Sequence, residues 1–388
     1  MDTDAPEREV VDLTRRLAAI PSHDDETAAG DAIAAWLRDE TDADVTRDDA
    51  GNVIARRSPP GGAPDAPSLA FVGHHDVVPP ADGQTTGDGE YVVEERDGRL
   101  YGRGTADMKG AVAAALCAFR DSEVSRASGR RPEGGDADAG ASPGDLVFAS
   151  FVGEETGGEG ARAAVDAGFA PDYAVVGEGS TNYSGEDVTD VAVAHKGRRG
   201  STLVARGTAV HASEADRGEN AVCRACDAVD VVRAIDPPTA TVLGHDLRGS
   251  VVVTGIEGGS AWNVVPERCE VTVDERTVPG ARAPLARTES VAGVEWTVDQ
   301  DLPPMACSAP DFADAVRDAA DAAQAGTPES VVKPHATDAG WLAEAGTACV
   351  VCGPAEPGEA HTDDESVSVD VLARCYRIYR AVAEQGPT

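Results

Sequence analysis

Two adjacent carboxylates, Glu154 and Glu155, follow an apolar run and precede a glycine-rich turn in the segment FASFVGEETGGEG, Phe148 to Gly160. A short apolar run bounded by glycines reads as a buried strand, and open α/β sheets build their sites just past such strand ends. Adjacent acids there point in different directions, so one can ligate a metal while the other handles protons. Taken alone, Glu-Glu in an acidic chain reads more simply as a solvated loop. The other reactive residues change that reading.

In GHHDVVP, His74 and Asp76 lie two apart at the end of an apolar run, on one face of a continuing strand. A carboxylate so placed can orient a metal-bound imidazole. His75 is the rival ligand if the register slips by one, and the accompanying acid favours His74. In GRGTADMKG, Asp107 precedes a helical run, where a carboxylate is ordinarily a cap. Its place between the His-x-Asp and Glu-Glu motifs favours a ligand. Glu178 in GEGS ends a further strand, and His361 lies in GPAEPGEAHTDDE. Together His74, Asp107, Glu155, Glu178 and His361 offer two imidazoles and three carboxylates. Such a set suits two borderline ions such as Zn²⁺, with Asp107 the natural bridge. Two such ions can polarise an amide carbonyl and activate a water. Glu154, adjacent to a ligand and not needed as one, suits the proton transfers from water to leaving amine.

Positioning these groups requires a sheet with helices around it. Val10, Leu13, Leu17 and Ile20, then Ile33, Trp36 and Leu37, recur at helical spacing, and Met108 to Arg120 reads as a third helix. Val53-Ile54, Ser68 to Val72 and Asp172 to Val176 read as strands. From about Asp190 the texture changes. Strands at Val191 to Ala194, Ser201 to Ala205, Ser250 to Val253 and Cys269 to Val273 surround a helix at Asn220 to Ile235, which suggests a smaller α+β domain. Near Asp301 the first pattern resumes, with a helix at Phe312 to Ala323, a strand at Thr347 to Cys352 and a last helix from Val369. The expected architecture is an α/β, doubly wound catalytic domain with a mostly parallel sheet, in two parts (1–188 and 303–388). A smaller α+β domain (189–302) interrupts it, which returns His361 to the ligands of the first part. Residues 122–144, rich in Gly, Ala, Arg, Asp and Pro, read as a mobile surface insertion.

A chain of 388 residues suits two domains. Its formal charge of −36 and pI near 4.4 argue against nucleic acid or an anionic membrane as partner. Only Lys109, Lys196 and Lys333 are lysines, and the other basic residues are arginine. An acid excess with almost no lysine, spread along the chain, is the composition of a halophilic cytosol, where salt screens self-repulsion. The acidic N-terminus lacks a signal-peptide pattern, and no apolar run is long enough to span a membrane, so a cytoplasmic location is expected. Cys223-x-x-Cys226 and Cys349-x-x-Cys352 lie too far apart for a zinc ribbon and read as buried thiols in a reducing compartment.

The motifs GHHDVVP, GRGTADMKG, GEETGG, VGEGS, HKGRRG, GTAVHAS, WNVVP and EAHTDDE stand in one order along the chain. In that order they resemble the co-catalytic zinc amidohydrolases that include acetylornithine deacetylase, succinyl-diaminopimelate desuccinylase, aminoacylase and glutamate carboxypeptidase. The resemblance implies two Zn²⁺ ions per chain, with Co²⁺ able to substitute. It puts His74 and Glu178 on one ion, Glu155 and His361 on the other, and Asp107 between them. Asp76 then supports His74, and Glu154 is the general base and acid. It further implies a homodimer in which His211 of GTAVHAS reaches the partner's site and stabilises the oxyanion. Asn263 and Arg276 match positions that hold the substrate. Arg198 and Arg199 resemble the desuccinylases and suit an extra carboxylate, whereas the segment around Asp274 resembles the deacetylases. An N-acyl amino acid amidohydrolase is expected, with the desuccinylase type preferred to the deacetylase. A dipeptidase or carboxypeptidase is the alternative, ahead of a non-catalytic binding relative. His23, His245 and His335 match no motif.

Overall fold

The computed structural model describes residues 5–59, 66–123 and 144–386. The segment read as a mobile insertion lies outside the described residues, apart from Ser122, Glu123 and Gly144. The chain divides into two compact units. The first comprises Met1–Ala194, Ala306–Lys333 and Thr337–Thr388, and the second His195–Met305 with Pro334–Ala336.

A mixed sheet with a parallel heart organises the first unit. Four adjacent strands run parallel in the order Leu146–Phe151, Leu69–His74, Tyr173–Val176, Ala348–Val351. Every residue of Leu69–His74, Leu146–Phe151 and Ala348–Val351 is buried. Strands covered on both faces need uninterrupted apolar runs, as these have. The flanks are antiparallel: Val53–Arg57 pairs with Leu146–Phe151, and Val191–His195 with Ala348–Val351. Sequence texture grouped Val191–Ala194 with the inserted domain. The structure puts this strand in the large sheet because its unbroken apolar run is buried on both sides. Ser330–Lys333 pairs with it.

The helix Gly110–Asp121 is buried from Gly110 to Phe119, and its run of alanines lets neighbours approach closely. With Ala5–Ala18, Pro310–Ala323 and Val369–Gln385 it forms one apolar core with the strands. Val369–Gln385 is capped by Ser368, whose hydroxyl accepts from the Val371 amide.

In the second unit, Ser250–Gly258, Arg268–Thr277, Gly197–Arg206 and Val294–Leu302 form an antiparallel sheet in that order. Burial alternates along Gly197–Arg206 and Arg268–Thr277. The buried side chains pack with Ala221, Ala225, Ala228 and Val232 of the helix Ala221–Arg233. The fold is thus α/β with a mostly parallel central sheet and an inserted smaller α+β domain.

Candidate metal centre

Parallel strands end on one edge of a sheet, and here that edge collects the reactive side chains. His74 is the last residue of Leu69–His74. Glu154 and Glu155 come shortly after Phe151, Glu178 shortly after Val176, and the chain beyond Val351 carries His361. Asp107 lies in the turn just before Gly110–Asp121, and its peptide bond to Met108 is cis.

The imidazole of His74 is fully buried and committed at both nitrogens. Its Nδ1–H donates to the main-chain oxygen of Asp76 at 3.0 Å, with Asp76 Oδ1 at 3.3 Å. Its Nε2 faces Asp107 Oδ1 at 3.1 Å and Glu178 Oε1 at 3.5 Å. His361 Nε2 lies 3.2 Å from the other oxygen of Asp107, Oδ2, and 3.0 Å from Glu155 Oε1. Asp107 therefore turns one oxygen to each imidazole. Asp76 Oδ2 also accepts the amide of Glu155 at 3.0 Å, so one residue holds His74 by its main-chain oxygen and the Glu-Glu turn by its carboxylate. His75 points elsewhere, with Nδ1 2.8 Å from Ser150 Oγ. His361 sits at φ +66°, in the left-handed region, a conformation that costs a non-glycine residue energy and tends to persist at functional sites.

Electrostatics follow from crowding acids and imidazoles in a buried place. Burial raises the Asp107 carboxyl, but hydrogen bonds from His361 and His74 outweigh it and hold it well below the usual range. Burial lowers His74, but Asp76, Asp107 and Glu178 lift it well above an ordinary imidazole. Hydrogen bonds to Asp107 and Glu155 lift His361 to about 10. Glu154 is pushed well up, by burial first and then by Glu178, Asp338 and Asp107, against the pull of His74. His75 is pushed down to about 3 by burial.

Two overlapping donor sets emerge. Atoms of His74, Asp107 and Glu155 lie within 4.8 Å of one another, and so do atoms of His74, Glu154 and Glu178. Imidazole nitrogens and carboxylate oxygens at this spacing fit divalent cations of the zinc type, and their surplus negative charge is what such ions neutralise.

Sequence reasoning missed three neighbours. Lys333, at the buried end of Ser330–Lys333, brings its ammonium 3.8 Å from Glu178 Oε2. Asp338 is buried and raised to about 8, by burial first and then by Asp76 and Glu178, against the pull of His74. Glu365 holds the turn carrying Asp107. Only Lys333, a rare lysine, and Glu365, within the His361 motif, left any signal in the sequence.

The second unit holds the other candidates. His211 is exposed; its Nδ1 lies 2.7 Å from Ser213 Oγ and its Nε2 3.3 Å from Asn263 Nδ2, so these two come together. Arg198 and Arg276 share Asp274, each at one of its oxygens. Arg199 is buried, donates to Glu275 at 2.8 Å and to the Ala283 carbonyl at 2.8 Å, and lies over the Trp296 ring. A free pair of arginines is not what these neighbours present. His23 stacks on Tyr91, with Nδ1 2.7 Å from its hydroxyl.

A mostly buried cluster of imidazoles and carboxylates at the carboxyl edge of a parallel sheet is the donor set of a metal-binding protein. Residues 70–385 match Peptidase family M20/M25/M40, and the chain belongs to this family. It is 30% identical over 364 residues to the acetylornithine deacetylase of Myxococcus xanthus, spanning 87% of this chain and 85% of that one. Its fold is shared by the aminopeptidase PepT of Bacillus cereus (TM-score 0.75, 18% identity, 98% of each chain). It is shared also by the YXEP protein of Bacillus subtilis, a dinuclear metal-binding peptidase (TM-score 0.68, 17% identity, 98% of each chain). The chain is a metallo-peptidase or amidohydrolase of this family.

Proposed function

We propose that this chain is a two-metal amidohydrolase that removes the acyl group from an N-acyl amino acid. The observation that carries the reading is Asp107, whose two oxygens lie 3.1 and 3.2 Å from two different imidazoles, so that it would contribute one oxygen to each of two ligand sets. His74 and Glu178 would hold one ion, Glu155 and His361 the other. Divalent ions held there, Zn²⁺ or Co²⁺, would supply Lewis acidity to the amide carbonyl and to water. Asp76 fixes the His74 ring through its Nδ1–H. Glu154 takes the proton released by the attacking water and delivers it to the departing amine. No ligand-type residue of the set is missing, which disfavours a non-catalytic relative.

Among substrates we favour an acetylornithine-type deacetylase over a desuccinylase. The deacetylase relative supports it. So does Arg199, whose donors are engaged by Glu275 and Ala283 rather than free for a succinyl carboxylate. A dipeptidase or carboxypeptidase is the second reading, supported by the match to a peptidase family. Assay of Zn²⁺- and Co²⁺-loaded protein in molar KCl decides. Turnover of acetylornithine alone supports the first reading, and turnover confined to a dipeptide panel overturns it.

We further propose that the inserted domain, 189–302 from the sequence, is a lid and dimer surface. His211 would serve the partner's site, with Asn263 and Arg276 on the substrate. Reshuffling His211→Ala with Glu154→Gln subunits restores activity if His211 acts in trans, and leaves it at background if not. The charge of −36 and the three lysines support a halophilic setting, and eight free cysteines a reducing, cytoplasmic one.

A further inference from the structure

We propose that Glu365 is the positioning residue that sets the two-way orientation of Asp107, by clamping the backbone of the turn that carries it. The inference rests on the two-ion reading of the site. Glu365 is 1% exposed, and both oxygens of its carboxylate accept from that one turn. Its Oε1 accepts the amide of Ala106 at 3.0 Å and the amide of Asp107 at 3.2 Å. Its Oε2 accepts from Arg103 Nη1 at 2.6 Å, and its own carbonyl accepts the amide of Gly102 at 3.0 Å.

Four residues before Glu365, on the same stretch of chain, stands His361, which meets Asp107 through Oδ2 at 3.2 Å. One stretch thus grips Asp107 twice, by its side chain through His361 and by its backbone through Glu365. Neighbouring amides of the turn find acceptors within it, Thr105 on the Gly102 carbonyl and Lys109 on the Gly104 carbonyl. Those of Ala106 and Asp107 depend on the Glu365 carboxylate. With that acceptor gone, the two amides must find new partners, and the Asp107 plane turns with them. One oxygen then leaves its imidazole while the other stays. The cost falls on the second ion of a bridged pair.

A buried Arg103–Glu365 ion pair could also be merely structural, and conservative variants separate the two roles. Glu365→Gln keeps an oxygen in place for the two amides but removes the charge opposite Arg103. Glu365→Asp keeps the charge but withdraws the oxygens by one methylene. Zn²⁺ uptake by the full-length, metal-free chain in molar KCl is followed by calorimetry, with the melting temperature of the metal-free protein alongside. Wild type should take two ions. Glu365→Asp should bind the second at least about 10-fold more weakly, in the range that residues behind metal ligands command. Glu365→Gln should stay within about 3-fold of wild type. Arg374→Met, which breaks the Arg374–Asp187 pair in the same unit, should lower the melting temperature and leave both binding steps alone.

If Glu365→Asp binds both ions as well as or better than Glu365→Gln, or both variants match wild type, the clamp is refuted and the pair is structural. If Glu365→Asp does not fold, Glu365→Gln alone decides: retention of both ions supports the clamp, and loss of the second refutes it. Wild type that takes fewer than two ions overturns the two-ion reading itself, a separate and visible failure.

Discussion

Asp107 shows what one side chain contributes when each of its oxygens has a different partner. Its neighbour in function, Glu154, should be separable from metal holding. Glu154→Gln should retain both ions by metal analysis while turnover falls ~10²–10⁴-fold, the usual contribution of a positioned general base. Loss of an ion with turnover intact would exchange the roles of Glu154 and Glu155. His75 allows a pH test free of catalysis. Its folded affinity for a proton is depressed to about 3 by burial, while the unfolded chain takes that proton near 6.5. Between those values the unfolded state binds more protons, so the contribution is present above pH 6.5 and lost as pH falls towards 3, by about 1.4 kcal/mol per pH unit. His75→Asn, which retains a partner for Ser150, should flatten urea-derived stability of the metal-free protein by one proton's slope over this window. Parallel curves would refute the assignment. The alternation of a strand placed His74 and Asp76 together in the sequence. Lys333 and Asp338 follow no spacing rule, because only the tertiary fold brings them beside Glu178 and Glu154.

At the scale of elements, the glycines around Asp107 acquire separate reasons. Gly104 takes φ +81°, which the turn requires. Gly110 opens the following helix so close to the turn that a Cβ would stand 2.4 Å from the Thr105 carbonyl oxygen and 2.9 Å from Leu372. Backbone cannot give way as a side-chain tip can. Gly110→Ala should therefore cost about 1–3 kcal/mol by urea unfolding and weaken Zn²⁺ uptake roughly tenfold. Unchanged uptake would show that turn and helix move independently. The four parallel strands were legible because buried strands are written as apolar runs. Val294–Leu302 was not, since its sequence VEWTVDQDL interleaves acids with few apolar residues. The short strands Glu94–Arg96 and Arg99–Tyr101 were hidden by their charges. Their Asp97-Gly98 turn, both residues at positive φ, is nevertheless a hairpin signal.

For the whole molecule, 69 acids against 33 arginines and lysines dominate the energetics. Arginine forks settle some of this charge, as where Arg99 reaches Glu356 and Glu359 or Arg120 reaches Glu9. The remainder repels itself over distances that only concentrated salt screens. Melting temperature should climb steeply from dilute buffer to molar KCl, and a flat response would remove the halophilic reading while leaving the hydrolase untouched. Among the described residues no helix is long and apolar enough to cross a membrane.

The scarcity of lysine also makes the chain nearly blank to acylating reagents, which attack primary amines. Of its three lysine side chains, Lys109 lies buried with its Nζ 2.7 Å from the Ile20 carbonyl, and Lys333 lies buried beside Glu178. Lys196 alone is partly open. A pulse of anhydride read by mass spectrometry should mark Lys196 at once, and Lys333 only as often as the acid cluster opens. The rate of that second mark is a built-in clock for breathing of the metal site.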